Sequence, residues 1–428
     1  MIEEAEYKHR RETLLEKLDT HSITLLLSAK AKTRSNDTEY PYRQNSNFYY
    51  LSGFREDSSA LLFVKSAKKT SSFLFVAKKE PALELWSGKR VGVEAALELF
   101  SFDGVYEYTE LERVFKEHLA KKRSFYFDFR DENEELERFR VLSRNLYAHK
   151  NVAKELELLR LIKSPAEIAL IKKALEISKE AHHKAMESLK VNRYEYELQA
   201  EIEYIFKQNG AYSDAYTSIV ASANAANTLH YIANDKEIQE GELILIDAGC
   251  EYDYYASDIT RTIPASGVYS LAQRELYELV LGVLKEIISL IKPGVLRSKL
   301  QSHSEELLCQ GMIDLGILKG EKKALLKKKA HKKYYPHGIG HWMGLDVHDE
   351  AAYRDKNAKE IPLMAGVVMT IEPGIYLDKD ETEIPLKYRG IGIRIEDNIL
   401  VTQEGCENLS SGIVKEIAEI ESKASAFL

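Results

Sequence analysis

Residues 243–262 read LILIDAGCEYDYYASDITRT, an apolar run that ends in a carboxylate, followed by a second run that begins with one. Two strands joined by a turn at Tyr252-Asp253 would place Asp247 directly opposite Asp258, with Cβ atoms about 4.5–5.5 Å apart. Two like charges that close are unfavourable unless they are protonated or share a cation. The stretch therefore predicts a hairpin that holds a divalent metal ion. Taken alone, the pair could equally be two unconnected aspartates near a turn.

Two runs towards the C-terminus repeat this pattern of apolar residues and a carboxylate. Residues 367–374 read VVMTIEPG, so Glu372 ends a predicted strand and turn residues follow it. Residues 391–398 read IGIRIEDN, within a strand that the pattern predicts over 392–401. Arg394 and Glu396 would project from the same face of that strand, because side chains alternate along it. Such an arginine orients or partly neutralises a carboxylate, with a surface salt bridge as the alternative.

Three of the chain's 12 histidines fall within residues 336–349, which read PHGIGHWMGLDVHD. His337 and His341 have the HxxxH spacing of a zincin helix, but glycines flank Ile339 and no glutamate follows His337. This segment is therefore predicted to be a loop or the start of a strand. One of these histidines together with four carboxylates would form an oxygen-rich set, suited to two ions of manganese, cobalt, iron or zinc. For any single histidine, structural packing is the alternative, and His230 taken alone favours a structural role.

These motifs together resemble the pita-bread metallohydrolases, which include methionine aminopeptidase, prolidase, aminopeptidase P and creatinase. The order of the motifs and the eleven-residue spacing from Asp247 to Asp258 both match. The segments HGIGHWMGLDVHD (337–349), TIEPGIY (370–376) and YRGIGIRIED (388–397) are most similar to the aminopeptidase P group. The similarity extends to TRS (33–35) and YPYRQNS (40–46), and so covers nearly the whole chain.

The resemblance implies a catalytic domain of the α+β class, with a curved antiparallel sheet backed by helices and halves related by pseudo-two-fold symmetry. It also implies that the chain binds two divalent metal ions, with Mn²⁺ expected first and Co²⁺, Fe²⁺ or Zn²⁺ as alternatives. Asp258 and Glu396 would bridge the ions, Asp247 would complete the shell of one, and His341 with Glu372 that of the other.

The activity implied by the resemblance is hydrolysis of an N-terminal Xaa-Pro peptide bond by a hydroxide that the two ions share. Glu372 would accept the proton of the water and pass it to the leaving nitrogen of proline. His230 and His348 would contact the substrate and stabilise the tetrahedral intermediate. Other residues that match family positions near the substrate or the ligands are His337, Tyr376, Arg394 and Trp86, the last reaching the cleft of a neighbouring subunit. The family suggests a homo-oligomer, either a dimer or a tetramer.

The first part of the chain alternates apolar strand-like runs with helical periodicity from about residue 22 to 130, which predicts a small α/β domain. Residues 132–163 are rich in charge and are predicted to form an exposed helical connector. Ser164-Pro165-Ala166-Glu167 then has the N-cap serine, first-turn proline and third-position glutamate of a helix start. We therefore expect an N-terminal domain over 1–160 and a catalytic domain over 161–428.

Composition limits the partners of the 428-residue chain. Its net charge of −8 gives no overall field for nucleic acid. The sequence has no run of about 18 apolar residues, so no membrane span is predicted. The acidic N-terminus does not resemble a signal peptide. Three scattered cysteines fit a reducing cytoplasm. The expected substrates are peptides with proline in second position. The alternatives are a prolidase that cuts only dipeptides, a metal-free pita-bread interaction module and creatinase-like hydrolysis.

Overall fold

The first of two structural units, Met1–Leu159, contains a six-stranded mixed sheet. The computed structural model describes residues 2–425, and the second unit is Arg160–Leu428. The strands of the first unit are β1 (Ser22–Leu27), β2 (Thr33–Ser35), β3 (Thr38–Glu39), β4 (Ala60–Lys65), β5 (Thr70–Val76), β6 (Gly104–Glu107), β7 (Ser124–Phe127) and β8 (Ala148–Asn151). The helices before the second unit's first long helix are α1 (Glu4–Lys17), α2 (Ser46–Ser52), α3 (Pro81–Ser87), α4 (Gly92–Leu99), α5 (Leu111–Leu119), α6 (Glu134–Leu142) and α7 (Ala153–Leu161).

The sheet of the first unit has the strand order β6-β5-β4-β1-β7-β8. Its central strands β1, β4 and β5 pair antiparallel, and the outer pairs are parallel. The central strands are almost entirely buried, because apolar residues occupy both faces of each run. Phe115 on α5 packs edge-on against Phe125 on β7, with ring centroids 5.4 Å apart. The first unit therefore combines strands and helices, as the sequence pattern predicts, but β1 to β3 are consecutive strands and so are β4 and β5.

The charged segment 132–163 is not the exposed helical connector that its composition predicts. It contains α6, the edge strand β8 and α7. Leu136 and Phe139 from α6 are buried in the core of the first unit, and β8 pairs in parallel with β7. The prediction was wrong because Leu136, Phe139 and Leu156 are buried, while most of the charged side chains of the segment remain at least partly exposed.

The second unit pairs short antiparallel strands and covers them with long helices. Its strands are β9 (Ser213–Asp214), β10 (Ile219–Ser222), β11 (Leu243–Asp247), β12 (Cys250–Tyr252), β13 (Tyr255–Ala256), β14 (Thr260–Pro264), β15 (Val368–Ile371), β16 (Gly374–Leu377), β17 (Ile391–Arg394), β18 (Asp397–Val401) and β19 (Cys406–Asn408). Its helices are α8 (Pro165–Ser188), α9 (Glu195–Gln208), α10 (Leu271–Ser289), α11 (Arg297–Asp314), α12 (Lys322–Lys327) and α13 (Ile417–Ser425). The pairing orders include β10-β11-β14, β15-β18-β19 and β16-β17, all antiparallel.

Helix α8 begins where the sequence predicts. The Ser164 side chain accepts a hydrogen bond from the backbone N–H of Glu167, and the Glu167 carboxylate accepts one from Ser164 N. This capping box satisfies two backbone donors at the helix start. The apolar faces of α8 and α10 join one large core with the strands. None of the described helices is both long and apolar enough to cross a membrane.

The hairpin between β11 and β14 differs in register from the prediction. Its turn residues are Asp253 and Tyr254, both with positive φ angles of 49° and 72°, rather than Tyr252 and Asp253. Asp247 consequently faces Thr260 and not Asp258. Two adjacent residues with positive φ suit a two-residue hairpin turn, but tyrosine is an uncommon residue in that conformation. The residue opposite Asp247 is thus two positions later than predicted. Because side chains alternate between faces, Asp247 and Asp258 still project from the same face of the hairpin.

The predicted strand over 392–401 is interrupted at Ile395 and Glu396. Strand β17 ends at Arg394 and β18 begins at Asp397. The backbone of Glu396 instead donates to Thr260 O at 3.0 Å and accepts from the Arg261 guanidinium at 2.6 Å. These bonds satisfy the backbone outside a regular ladder and bring the Glu396 side chain to the base of the hairpin.

Candidate active site

A cavity of about 540 Å³ in the second unit is surrounded by strand ends and loops. Asp247 ends β11, Asp258 precedes β14, Glu372 follows β15, and Glu396 lies between β17 and β18. The lining residues are Tyr216, Thr217, Ile219, Leu229, His230, Ile232, Asp247, Asp258, His337, Gly338, Gly340, His341, Val347, His348, Glu372, Arg394 and Glu396. A second cavity of about 580 Å³ lies against α8 and α9. Its lining of surface lysines and glutamates offers no convergent chemistry, so the first cavity is the candidate site.

The predicted metal ligands converge on this cavity. Asp258, His341 and Glu396 each offer one ligand atom, and these atoms all lie within 4.8 Å of one another. His341 Nε2 is 3.3 Å from Asp258 Oδ2 and 3.8 Å from Glu372 Oε1. Four carboxylates and one imidazole form an oxygen-rich donor set that suits two hard or borderline divalent cations.

The electrostatics of these carboxylates call for bound cations. Burial raises the pKa of Glu396 well above its usual range, and the neighbouring Asp258, Glu372 and Asp247 charges raise it further. Burial also raises the pKa of Glu372 to about 7, although His341 and Arg394 oppose the shift. Like charges crowded in a buried site are destabilising unless protons or cations neutralise them. The donor set therefore fits a pair of divalent metal ions.

His341 reaches the carboxylates because its segment lies along β15. Its backbone N–H donates to Thr370 Oγ1 at 3.1 Å, and Thr370 N donates to His341 O at 2.9 Å. A Cβ atom on Gly340 would lie 1.9 Å from Thr370 O, so only glycine permits this approach. The His341 Nδ1 lies 3.0 Å from Trp342 O. An Nδ1–H that donates to this carbonyl leaves Nε2 free to face the carboxylates.

The charge on His341 depends on the same carboxylates. Burial alone lowers the pKa of the imidazole, but the hydrogen bond and charge of Asp258 and the charge of Glu372 outweigh it and raise the pKa to about 9. A metal ion bound between these groups would replace that proton, since a ligating histidine is neutral. The site therefore couples metal binding to release of a proton.

The prediction that Arg394 and Glu396 share a strand face would pair these two side chains directly. Arg394 instead pairs with Asp247. Its guanidinium donates to Asp247 Oδ2 at 2.6 Å, to Thr260 Oγ1 at 3.1 Å and to Tyr376 OH at 3.0 Å. Thr260 Oγ1 in turn donates to Glu396 Oε2 at 2.8 Å. The arginine is only 4% exposed, which excludes the alternative of a surface salt bridge. Arg394 therefore neutralises the predicted ligand Asp247 and is linked to the predicted ligand Glu396 through the Thr260 hydroxyl.

His337 continues this hydrogen-bonded chain. The His337 Nε2 lies 2.8 Å from Tyr376 OH, and its Nδ1 lies 2.8 Å from Gly338 O. Burial and the charge of Arg394 lower the pKa of His337 to about 3, so its ring is neutral. An Nδ1–H that donates to Gly338 makes Nε2 the acceptor for Tyr376. Hydrogen bonds then run in one direction from Arg394 through Tyr376 to His337.

Two further predicted histidines, His230 and His348, are exposed residues in the cavity wall. The His348 ring stacks on that of His341, with centroids 3.8 Å apart. Partial burial and the neighbouring His341 lower the pKa of His348. Trp86 lies in the first unit, on α3, and is 87% exposed. Its expected place in the cleft of a neighbouring subunit stays a prediction.

Tyr216 is a site residue that the sequence reasoning missed. Its hydroxyl oxygen is 2.6 Å from Asp247 Oδ1 and 2.7 Å from Asp258 Oδ1. A phenol has one hydrogen, so it donates to one carboxylate at a time and links the two sides of the hairpin. It follows β9 in an irregular segment, and nothing in the sequence distinguishes it among the chain's 25 tyrosines. Only the fold brings it to the ligands.

Comparison with known proteins matches both parts of the chain to family models. Residues 169–403 match the model of metallopeptidase family M24, and residues 7–126 match that of the aminopeptidase P N-terminal domain. The chain is 39% identical to proteins named Xaa-Pro aminopeptidase from Haemophilus influenzae and Escherichia coli K12. The first alignment covers 97% of this chain and 96% of the relative, and the second covers 98% and 97%.

Solved structures agree with these matches. A zinc-substituted aminopeptidase P from Escherichia coli in complex with product is 38% identical, with a TM-score of 0.94 over 100% of this chain and 99% of that one. Proline aminopeptidase P II from Yersinia pestis is 36% identical, with a TM-score of 0.95 over 99% and 100%. The chain belongs to metallopeptidase family M24 and is a metal-dependent peptide hydrolase. The predicted family and fold class are confirmed.

Proposed function

We propose that this member of metallopeptidase family M24 is an Xaa-Pro aminopeptidase, which removes the N-terminal residue from peptides with proline in second position. The observation that carries the proposal is the convergence of four carboxylates and His341 on one cavity. Relatives named Xaa-Pro aminopeptidase that match nearly the whole chain support this substrate class. No specific observation favours the interaction-module alternative, since every ligand expected from the sequence lies in the cavity wall.

The proposed cofactor is a pair of divalent ions, with Mn²⁺ expected first. Asp247, Asp258, His341, Glu372 and Glu396 would hold them. When bound, such ions lower the pKa of water and polarise the scissile carbonyl. Tyr216 and Arg394 hold Asp247 in place through their hydrogen bonds. The protein's contribution is thus to fix the ligands before the substrate arrives.

Glu372 is the proposed proton carrier. It would accept a proton from the attacking water and deliver it to the leaving nitrogen of proline, which must be protonated to depart as an amine. Its Oε1 lies 3.4 Å from Thr370 Oγ1, and its Oε2 lies 3.6 Å from His337 Nδ1. Glu372 lies in the cavity wall, where the proposed proton transfer would take place.

His230 and His348 are the proposed contacts to the substrate carbonyl. A hydrogen-bond donor aimed at the oxygen where negative charge develops lowers the barrier more than it strengthens substrate binding. The chain of hydrogen bonds from Arg394 through Tyr376 to His337 would fix the orientation of these three side chains. We further propose that Trp86 serves a neighbouring subunit, and that 1–160 and 161–428 are the two functional domains of a cytoplasmic dimer or tetramer.

The substrate class has a physical rationale. An Xaa-Pro bond has no N–H, and the ring of proline fixes φ near −65°. Peptidases that bind the amide N–H of the scissile bond therefore cannot recognise an Xaa-Pro bond in this way. An enzyme that positions the carbonyl oxygen by cations and histidines does not need that hydrogen.

Hydrolysis of Arg-Pro-Pro and of the dipeptide Ala-Pro by the purified protein tests the proposal. Both peptides are incubated with added manganese and again after chelation, and the products are separated by chromatography. Release of arginine from the tripeptide that requires manganese is the expected result. Cleavage of the dipeptide alone would indicate a prolidase, and no cleavage of either peptide would contradict the proposed function.

A further inference from the structure

A buried cluster of charges surrounds Asp349, the residue that follows His348. The Asp349 Oδ1 accepts a hydrogen bond from the Arg160 guanidinium, and Oδ2 accepts one from Lys163 Nζ at 2.9 Å. The side chains of all three residues are at most 2% exposed. Arg160 also donates to Asp346 Oδ2 at 2.6 Å. We call Arg160, Lys163 and Asp349 the Asp349 cluster.

A buried ion cluster of this kind is weak evidence for a role in stability. Removing charged groups from water is costly, and apolar side chains of the same volume often stabilise a protein equally well or better. What paired charges supply is a defined geometry, because each hydrogen bond fixes a direction as well as a distance. A role in positioning therefore explains these three residues better than a role in stability.

The segment that contains His348 closes around the Asp349 carboxylate. Asp349 N donates to Trp342 O at 2.8 Å, and Ala351 N donates to Asp349 O at 2.8 Å. A Cβ atom on Gly344 would lie 2.8 Å from Asp349 Oδ2 and 2.9 Å from Lys163 Cε. The backbone on either side of His348 is thus packed against the cluster, with no room for a side chain at position 344.

The imidazole of His348 has little else to hold it. Within residues 2–425 its ring makes no hydrogen bond, and its aromatic contact is the stack on His341. The ring is exposed in the cavity wall. Its position is therefore set by that stack and by the backbone that Asp349 anchors.

We propose that Asp349, held by Arg160 and Lys163, is a positioning residue that fixes the His348 imidazole at the cavity wall. The inference rests on the proposed function, in which His348 contacts the substrate carbonyl. Asp349 touches neither substrate nor metal ligand in this account. It acts through the backbone of the residue before it, so its effect on the reaction requires the His348 side chain.

A double-mutant cycle tests this dependence. Kinetics on Arg-Pro-Pro are measured for the wild type, Asp349→Asn, His348→Ala and the double variant, with bound metal and the midpoint of thermal unfolding determined for each. A misplaced catalytic group can cost about 100-fold in rate, so Asp349→Asn should lower kcat by about 10-fold to 100-fold while KM and metal content stay near wild type. In the His348→Ala background the same change should alter kcat by less than about twofold, because coupled residues are non-additive.

Multiplying losses in the double variant, or an unchanged kcat in Asp349→Asn, would overturn the positioning role while leaving the proposed function intact. A wild type that does not cleave Arg-Pro-Pro would overturn both. Should Asp349→Asn fail to fold, the same cycle is run with Lys163→Met, which removes one hydrogen bond to the carboxylate. The control is Lys172→Met on α8, since Lys172 forms a surface ion pair with Glu407 at 2.7 Å. This variant should keep wild-type kcat and metal content.

Discussion

Arg394 Nη2 lies 2.6 Å from Asp247 Oδ2, although the two residues are 147 positions apart in the chain. The pair joins the end of β17 to the end of β11, and both side chains are nearly buried, with 5% and 12% exposed. A carboxylate in that position needs a permanent partner when no metal is bound. The guanidinium supplies it, so the cavity is organised around one ligand before any cation enters.

The first prediction concerns the stability of the metal-free protein. Arg394→Met leaves the Asp247 carboxylate buried without its cation, and breaking one side of a buried ion pair costs about 3–5 kcal/mol. We expect a fall of about 3 kcal/mol in the free energy of unfolding in urea after chelation. Lys387→Met is the control, because it breaks a solvent-exposed pair with Glu275, and such pairs contribute little to stability. Equal effects of the two changes would contradict the account.

A second prediction addresses the tyrosine between the hairpin aspartates. Tyr216→Phe removes the hydroxyl that contacts Asp247 and Asp258 and leaves the ring. Loss of a group that orients metal ligands typically weakens metal affinity by about 10-fold to 100-fold. Titration with manganese should show weaker binding, and excess manganese should restore part of the activity. Tyr204→Phe, at a site 63% exposed, should bind like the wild type, and unchanged affinity in Tyr216→Phe would show that the hydroxyl is dispensable.

Proton transfer by Glu372 gives the third prediction. Glu372→Gln keeps the size of the side chain but removes the base, and general acid–base catalysis contributes about 10²–10⁴-fold. The expected kcat on Arg-Pro-Pro is at least about 100-fold below wild type at saturating manganese. Glu404→Gln, at an exposed position, serves as the control. A Glu372→Gln enzyme with near-normal kcat would rule out the proposed proton carrier.

The fourth prediction is the effect of acid on stability through His182. This histidine is buried against Ala248, with its Nε2 2.9 Å from Ala248 O, and burial lowers its pKa to about 3. In the unfolded chain its pKa is about 6.5, so lowering the pH through that value protonates the unfolded state first and lowers stability. Between pH 7 and pH 5 the contribution lost is about 2 kcal/mol.

His182→Gln removes this titration and retains a side chain that can hydrogen-bond. Its free energy of unfolding should therefore fall by about 2 kcal/mol less than that of the wild type when the pH drops from 7 to 5. Urea unfolding at the two pH values, on metal-free protein, provides the comparison. Parallel pH dependence in the two proteins would show that His182 is not the group responsible.

The sequence predicts the parts of this protein that depend on local patterns. The apolar runs that become β1, β4, β5 and β11 are recognisable, because a strand buried on both faces needs continuous hydrophobic residues. The start of α8 is recognisable from Ser164 and Glu167, since a capping box is built within four residues. The carboxylates at the ends of the apolar runs also indicate the metal ligands.

What the sequence could not predict depends on distant contacts. The register of the hairpin depends on which two residues adopt positive φ angles. These are Asp253 and Tyr254, and the local sequence does not indicate that. The break in the strand at Glu396 requires bonds to Thr260 and Arg261, more than a hundred residues earlier. Tyr216 and the Asp349 cluster likewise arise from side chains that only the folded chain brings together.

The most direct test of the two-metal account is a titration of the chelated protein with manganese while hydrolysis of Arg-Pro-Pro is followed. Bound metal is counted in parallel by elemental analysis of the protein after removal of free ions. The account predicts no hydrolysis without metal and activity that reaches its maximum at two ions per chain. Full activity in the presence of chelator, or hydrolysis of the Arg-Pro bond by protein that binds no metal, would contradict it.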